Sequence, residues 1–340
     1  MTANVSIVVV TPSALVIARH GSRWIVEEHL RGSSPDCVAV DPLDPTRAYC
    51  GTARNGLFRT RDSGRHWEPV GTGIEHATIT AVAVSHTRGP DGSGLVYAGT
   101  EPSTMYRSAT GGDDWENLAG LEALPSASSW SFPPRPETHH VRWIEADVNA
   151  GNRLFVAIEA GALVRTLDAG RTWLDRVSGG PYDTHRAATH PLAPGRIYSA
   201  AGDGYFESVD AGDSWRSPDD GLRHGYLVDL AVDPADPDTV VVSATAGPFV
   251  AYRPESAESY VYRRTRGNAW EVAKSGLPQA DGTTASRFAV HPGGSGVIYT
   301  ANNRGLFQSE DSGRRWSVLD VPWPRPGPAR GVSTLACLGD

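Results

Sequence analysis

The sequence predicts an all-β protein, a single seven-bladed propeller of four-stranded antiparallel blades spanning residues 1–340. Three observations carry that reading. An octet of the form S/T-x-D-x-G-x-x-W recurs along the chain. Each octet lies inside a unit of four short β-rich runs. The tryptophan that ends the octet returns at near-regular intervals from one end of the chain to the other.

The clean octets are "TRDSGRHW" (60–67), "TLDAGRTW" (166–173), "SVDAGDSW" (208–215) and "SEDSGRRW" (309–316). "SATGGDDW" (108–115) keeps the frame with Thr110 in place of the aspartate. "RRTRGNAW" (263–270) keeps Gly267 and Trp270, and "ARHGSRW" (18–24) keeps Gly21 and Trp24. The chemistry of the octet is local. Its carboxylate can accept backbone N–H groups across a tight turn, and its glycine can take a conformation closed to other residues. Its tryptophan suits the space between two packed sheets. These residues therefore read as fold staples.

Taken in order, the first unit has "VSIVVV" (5–10) and "ALVIA" (14–18) as strands around a turn, and it lacks an inner strand. The second unit shows the full pattern A-B-C-D at 37–40, 48–51, 56–60 and 67–70, with the octet in the C–D turn. The pattern recurs as "LAVDPADPDTVVVSAT" (230–245) and as "FAVHPGGSGVIYTANNRGLFQSEDSGRRW" (288–316). Trp24, Trp67, Trp115, Trp173, Trp215, Trp270 and Trp316 count seven units, at spacings of 43, 48, 58, 42, 55 and 46. The terminal "GVSTLACLG" (331–339) has no partner strands after it. It is expected to pair beside 5–10 and close the ring within the first blade.

The octets resemble the Asp-box (BNR) repeats of sialidase-like propellers, over almost the whole chain. Families similar in this way include sialidases, xyloglucan-cleaving enzymes, a seven-bladed photosystem assembly factor and sortilin-type receptors. The resemblance implies the fold and leaves the function open. The sialidase pattern has an Arg-Ile-Pro segment before the first box, which is absent here. The xyloglucan enzymes cleave between two propellers, and this chain has length for one. The photosystem factor carries an export or lipid signal that the opening residues do not show.

Composition narrows the classes. The net charge of −8 does not favour a polyanion such as DNA or RNA, so no nucleic-acid partner is expected. Lys274 is the sole lysine, so no single arginine stands out on residue type alone. Cys37, Cys50 and Cys337 are odd in number and form no Cys-x-x-Cys pattern, which implies neither a zinc site nor a disulfide framework. No segment is long and apolar enough to span a membrane, and the start reads as two strands, not a leader. A cytoplasmic location is the expectation.

Antiparallel order places the D–A and B–C loops on one face and the octets on the other. The two long tryptophan spacings hide insertions at about 121–140, a D–A loop, and 246–260, a B–C loop. Both fall on the face away from the octets, and extra loop on one face of a repeat scaffold marks its binding side. Aligned on their "AVDP" ends, the inner strands begin with Asp36, Thr80, Arg142, His185, Arg186, Asp229, Ser286 and Arg287. Strand alternation would let only about half of these face the channel.

Two constellations follow. His139, His140, His185 and His224 come from three successive D–A junctions on the insertion face, where they could hold a divalent metal or supply a general base. Adjacent side chains in a strand point apart, so His139 and His140 are not expected to share one ion. Arg142, Arg186 and Arg287 could bind an anion by their guanidinium forks, or pair with Asp229, Glu145 and Asp183 across blades. Three tryptophans lie outside the octets, Trp130, Trp143 and Trp323, and they could wall a ligand or cover the insertion. The reading is a small-molecule site at the insertion-face channel mouth, whose ligand is expected to be anionic. His140 and His185 are the candidate bases and Arg142 the anion clamp. Trp130, Phe132, Arg135, His139, Trp143, Arg186, Tyr226 and Arg287 are the candidate ligand contacts. A non-catalytic scaffold for a glycan or protein, or a glycoside hydrolase, are the alternatives.

Overall fold

The computed structural model describes every residue except 1–4, 295, 325–327, 329–330 and 340. Its strands form seven separate antiparallel sheets. Blade 1 contains β1 (Val5–Val10), β2 (Leu15–His20) and β3 (Trp24–His29), joined by the C-terminal β26 (Thr334–Gly339). The register runs from Val5 opposite Gly339 to Val10 opposite Thr334. The terminal strand thus takes the inner position that the first unit lacks, as its lone β-pattern implied.

Blade 2 is β4 (Pro35–Asp41), β5 (Asp44–Thr52), β6 (Leu57–Thr60) and β7 (Glu68–Val70). Blade 3 is β8 (Ile79–Arg88), β9 (Gly94–Thr100), β10 (Met105–Ser108) and β11 (Glu116–Asn117). Blade 4 has β12 (Val141–Ala146), β13 (Leu154–Ile158) and β14 (Ala162–Thr166), and blade 5 has β15 (Thr184–Thr189), β16 (Ile197–Ala201) and β17 (Gly204–Ser208). Blade 6 is β18 (Tyr226–Asp233), β19 (Asp236–Thr245), β20 (Ser259–Thr265) and β21 (Glu271–Val272). Blade 7 is β22 (Arg287–Val290), β23 (Ile298–Asn302), β24 (Gly305–Ser309) and β25 (Ser317–Leu319). The inner strands β26, β4, β8, β12, β15, β18 and β22 each contact the next, and β22 returns to β26. The ring is closed.

Blades 4 and 5 depart from the four-strand expectation. Their outer strand shrinks to one bridge each, Arg165 opposite Leu174 and Glu207 opposite Arg216. In blade 5, Pro218 follows two residues after Arg216 and cannot donate to a ladder. In blade 4, Asp175 turns away to accept the Ser126 N–H at 2.8 Å and the Ser126 hydroxyl at 2.5 Å.

The octets behave as local staples. Asp62, Asp168, Asp210 and Asp311 each accept the backbone N–H four residues on, at 2.8–2.9 Å. Thr110 does the same with its hydroxyl toward Asp114 N–H at 3.0 Å, which explains how that copy tolerates losing the carboxylate. The octet's first Ser or Thr caps the glycine N–H in each case, for example Thr60 to Gly64 at 2.9 Å. Gly64 and the residue before it, Ser63, have φ of 83° and 58°, so two successive left-handed residues make the turn. Each of the four aspartate-bearing turns also docks on its own blade's A–B turn, as in Ser63 N–H to Thr46 O at 2.8 Å and Ala211 N–H to Gly195 O at 2.8 Å. Octets and A–B turns therefore share one face.

The core lies between blades. Seven apolar clusters each join two neighbouring sheets, and each holds one octet tryptophan: Trp24, Trp67, Trp115, Trp173, Trp215, Trp270 or Trp316. One octet indole per seam is the physical reason the octet count equals the blade count.

Candidate channel-mouth site

The site is built from the beginnings of the inner strands. Five of these strands carry a bulge there, at Asp36, Thr80, Arg142, His185 and Val228, where the pairing register slips by one residue. A bulge inserts one residue and re-aims its neighbours. Alternation consequently fails at the mouth. Arg142 and Trp143 line the same cavity, and so do His185 and Arg186. The cavity also meets Asp229 and Arg287, and its free volume is about 20 Å³, room for roughly one water.

Charged groups interlock around it. Arg142 Nε lies 2.8 Å from Glu159 Oε2. His140 Nε2 reaches the same carboxylate at 3.2 Å. His185 donates from Nδ1 to the Leu227 carbonyl at 2.5 Å, and its Nε2 stands 3.5 Å from Asp183 Oδ2 and 4.0 Å from Glu159 Oε1. Arg186 spans two partners: its guanidinium stacks 4.2 Å over the Trp143 ring, and Nη1 is 3.4 Å from Asp229 Oδ1. Arg287 donates to the Val332 and Val228 carbonyls at 3.2 and 2.9 Å.

The electrostatics follow. Burial pulls the Glu159 carboxyl upward, but Arg142 and the two histidines outweigh it and hold it well below the usual range. Burial lowers Arg142 as well, and Glu159 more than restores it. Arg287 is less well compensated: burial, and then repulsion from Arg142, depress it despite the pull of Asp229. Burial raises Asp36 against the pull of Arg142, His140 and Arg287. On β12, burial pushes Glu145 up to about 7 despite two bonds from Thr189.

The B–C insertion supplies Tyr252, whose hydroxyl lies 3.0 Å from that of Tyr226; Tyr226 in turn packs 4.9 Å from the His185 ring. Glu159 and Tyr252 escaped the sequence reading. Glu159 sits in the two-strand turn between β13 and β14, on the insertion face, and that position was the available signal. Other candidates lie apart from the cavity. Trp130, read as ligand wall, is 6% exposed and belongs to the core between blades 3 and 4, its indole N–H bonded to Ser126 Oγ at 3.1 Å. His139 packs edge-on against Trp130, and His140 edge-on against Phe132, so the adjacent histidines do point to different partners. Arg135 covers the Phe132 ring and pairs with Glu101 at 2.8 Å. His224 stacks on Tyr260 and bonds Tyr262 at 2.6 Å. The four-histidine metal set is therefore not assembled: of the four, His185 alone joins a ligand-type cluster among the described residues, with Glu159 and Asp183.

A second, larger cavity of about 350 Å³ lies beside the D–A loop between blades 6 and 7, lined by Tyr260, Lys274, Gln279 and Asn302 among others.

No family model matches the chain. A probable oligoxyloglucan-reducing end-specific xyloglucanase of Neosartorya fischeri is 24% identical over 254 residues, covering 72% of this chain and 28% of that protein. The chain thus spans little more than a quarter of that relative. Among solved structures, the GH74 xyloglucanase of Xanthomonas campestris superposes with a TM-score of 0.65 at 17% identity, over 98% of this chain and 52% of that one. YCF48 bound to D1 peptide gives 0.57 at 19% identity, over 84% of this chain and 81% of that one. These likenesses show a shared propeller fold.

Proposed function

We propose that the channel mouth binds a small ligand through an anionic group, and that the ligand is an acidic sugar or its oligomer. One observation carries the reading: the cavity lining holds three guanidinium groups, Arg142, Arg186 and Arg287, with one carboxylate, Asp229, while the Glu159 carboxylate pairs with Arg142 from outside the lining. Arg287 is depressed by burial and its arginine neighbours, and an incoming anion would relieve that repulsion. A space of about 20 Å³ admits one oxygen of a carboxylate and no sugar ring. The rest of the ligand would lie across the face, over Trp143, Tyr226 and Tyr252. Relatives and structural neighbours named as xyloglucanases support a carbohydrate.

The same names favour a second reading, glycoside hydrolysis. Glu159 and Asp183 are neighbouring carboxyl groups; hydrolysis needs one of a pair to donate a proton and the other to be ionised, and Glu159, held ionised by Arg142, suits only the second role. The acidic-sugar reading fits the mouth better. His185 lines the cavity wall, and His140 reaches Glu159 from outside the lining.

Calorimetric titration with glucuronate, oligogalacturonate, glucose and a xyloglucan oligosaccharide tests both. The acidic sugars should bind, more weakly at high salt. Arg142→Lys and Arg186→Gln should each cost roughly 10-fold or more, the scale of one charge-assisted hydrogen bond. Equal binding of neutral and acidic sugars, or cleavage of the xyloglucan fragment, would overturn the reading.

A further inference from the structure

We infer that Glu159, Asp183 and His185 bind a divalent first-row cation, Zn²⁺ or Mn²⁺, at the wall of the channel mouth. One donor atom from each lies within 4.8 Å of the others. His185 carries the argument. Its residue exposure is 2%, and its Nδ1 meets the Leu227 carbonyl at 2.5 Å. A carbonyl only accepts, so Nδ1 holds the proton. Nε2 is then buried without a hydrogen-bond partner, facing Asp183 Oδ2 and Glu159 Oε1. In the neutral ring that is a lone pair aimed at two carboxylates, an arrangement a cation between them resolves.

The two distances from Nε2 suit one ion. Two donors each about 2.1 Å from a metal stand at most about 4.2 Å apart. The observed separations from Nε2 are 3.5 and 4.0 Å. The unused atom of each donor is already tied, as at metal centres whose outer partners orient the ligands. Glu159 Oε2 faces Arg142 and His140, Asp183 Oδ1 accepts the Ala160 N–H at 2.7 Å, and His185 Nδ1 holds Leu227. A Cβ on Gly202 would stand 2.1 Å from Asp183 Oδ2, so only glycine there leaves this oxygen its place. One imidazole with two carboxylates suits first-row ions, and three protein donors leave positions open. The ion site stands on its own geometry. What the ion would do, hold a ligand's anionic group beside Arg142, rests on the function proposed above.

A doubly protonated His185 between the carboxylates is the rival account, and titration separates them. The full chain, stripped with chelator, is titrated with Zn²⁺ and with Mn²⁺ by calorimetry. One saturable equivalent of at least one ion is expected. Asp183→Asn keeps the acceptor for Ala160, and His185→Asn keeps a donor toward Leu227, so both variants preserve the local bonds while removing a metal donor. Each should weaken binding by at least about 10-fold. His66→Gln, an exposed histidine on the octet face, should change nothing. Melting curves in chelator establish that the variants are folded. Absence of stoichiometric binding, or binding that survives both substitutions, overturns the assignment in favour of the imidazolium. Glucuronate binding without metal binding sinks this inference alone; metal binding without glucuronate binding sinks the ligand reading alone.

Discussion

Replacing Arg142 by glutamine should destabilise the protein at neutral pH and do so much less in acid. The guanidinium Nε sits 2.8 Å from Glu159 Oε2, with side-chain exposures of 21% and 15%. At an effective dielectric near 20, the gross attraction at that distance is about 6 kcal/mol. Desolvation of both groups offsets part of this, and His140 remains as a partner in the variant. A net loss of about 3 kcal/mol follows, the low end for breaking a buried pair by removing one member. For 340 residues the unfolding entropy is about 0.7 kcal/mol per degree, so the midpoint should fall by about 4 °C. The pH dependence identifies the cause. In the wild type Glu159 is held below its ordinary value, so its contribution is present at neutral pH and fades as pH falls toward that lowered value. Without Arg142 the burial of Glu159 is far less compensated, and its pKa climbs. The ionised form is then penalised at pH 7.5, and protonation relieves the penalty near pH 4.5. Urea unfolding at both values is the assay. An equal loss at pH 7.5 and 4.5 would refute the argument, because it would mean Arg142 acts through packing and not through the charge of Glu159.

Glu145→Gln should act in the opposite sense. The buried Glu145 titrates near 7, so its protonated form is favoured in the fold, and that stability is lost as pH rises through 7. The variant should gain up to about 3 kcal/mol at pH 8 and almost nothing at pH 4, read by urea midpoints. Leu338→Ala should cost about 2–5 kcal/mol, because Leu338 is fully buried on the closing strand; a loss under about 0.5 kcal/mol would mean the ring is not closed there. Gly313→Ala should destabilise by more than about 1 kcal/mol in a thermal melt, since φ is 83° and the new Cβ would stand 2.5 Å from Val241 Cγ1.

Fold and site differ in how much the sequence discloses. Blade number is legible because each seam between sheets takes one octet tryptophan, which recurs once per unit. Ring closure is legible because "TLACLG" is a strand with no other partner. The missing outer strands of blades 4 and 5 rest on Asp175 and Pro218, whose partners become neighbours only after folding. At the mouth, alignment of the strand starts finds Arg142, His185, Arg186 and Arg287, because register in a repeat is shared. It cannot find the bulges, which leave no mark in residue type, so it cannot see that Arg142 and Trp143 face one cavity. Trp130 misleads for the opposite reason: a Pro-rich loop looks exposed, yet Pro125–Ser129 forms a short 3₁₀ turn that folds the indole back into the core.

The central claim is that the insertion-face mouth selects an anionic group. Its most direct test is the affinity of the full chain for glucuronate against glucose, measured by calorimetry at low and high salt in wild type and in Arg186→Gln. Selective, salt-sensitive binding of glucuronate that weakens about 10-fold or more in the variant is the result expected. Binding of both sugars alike, or glucuronate binding indifferent to Arg186, would contradict it.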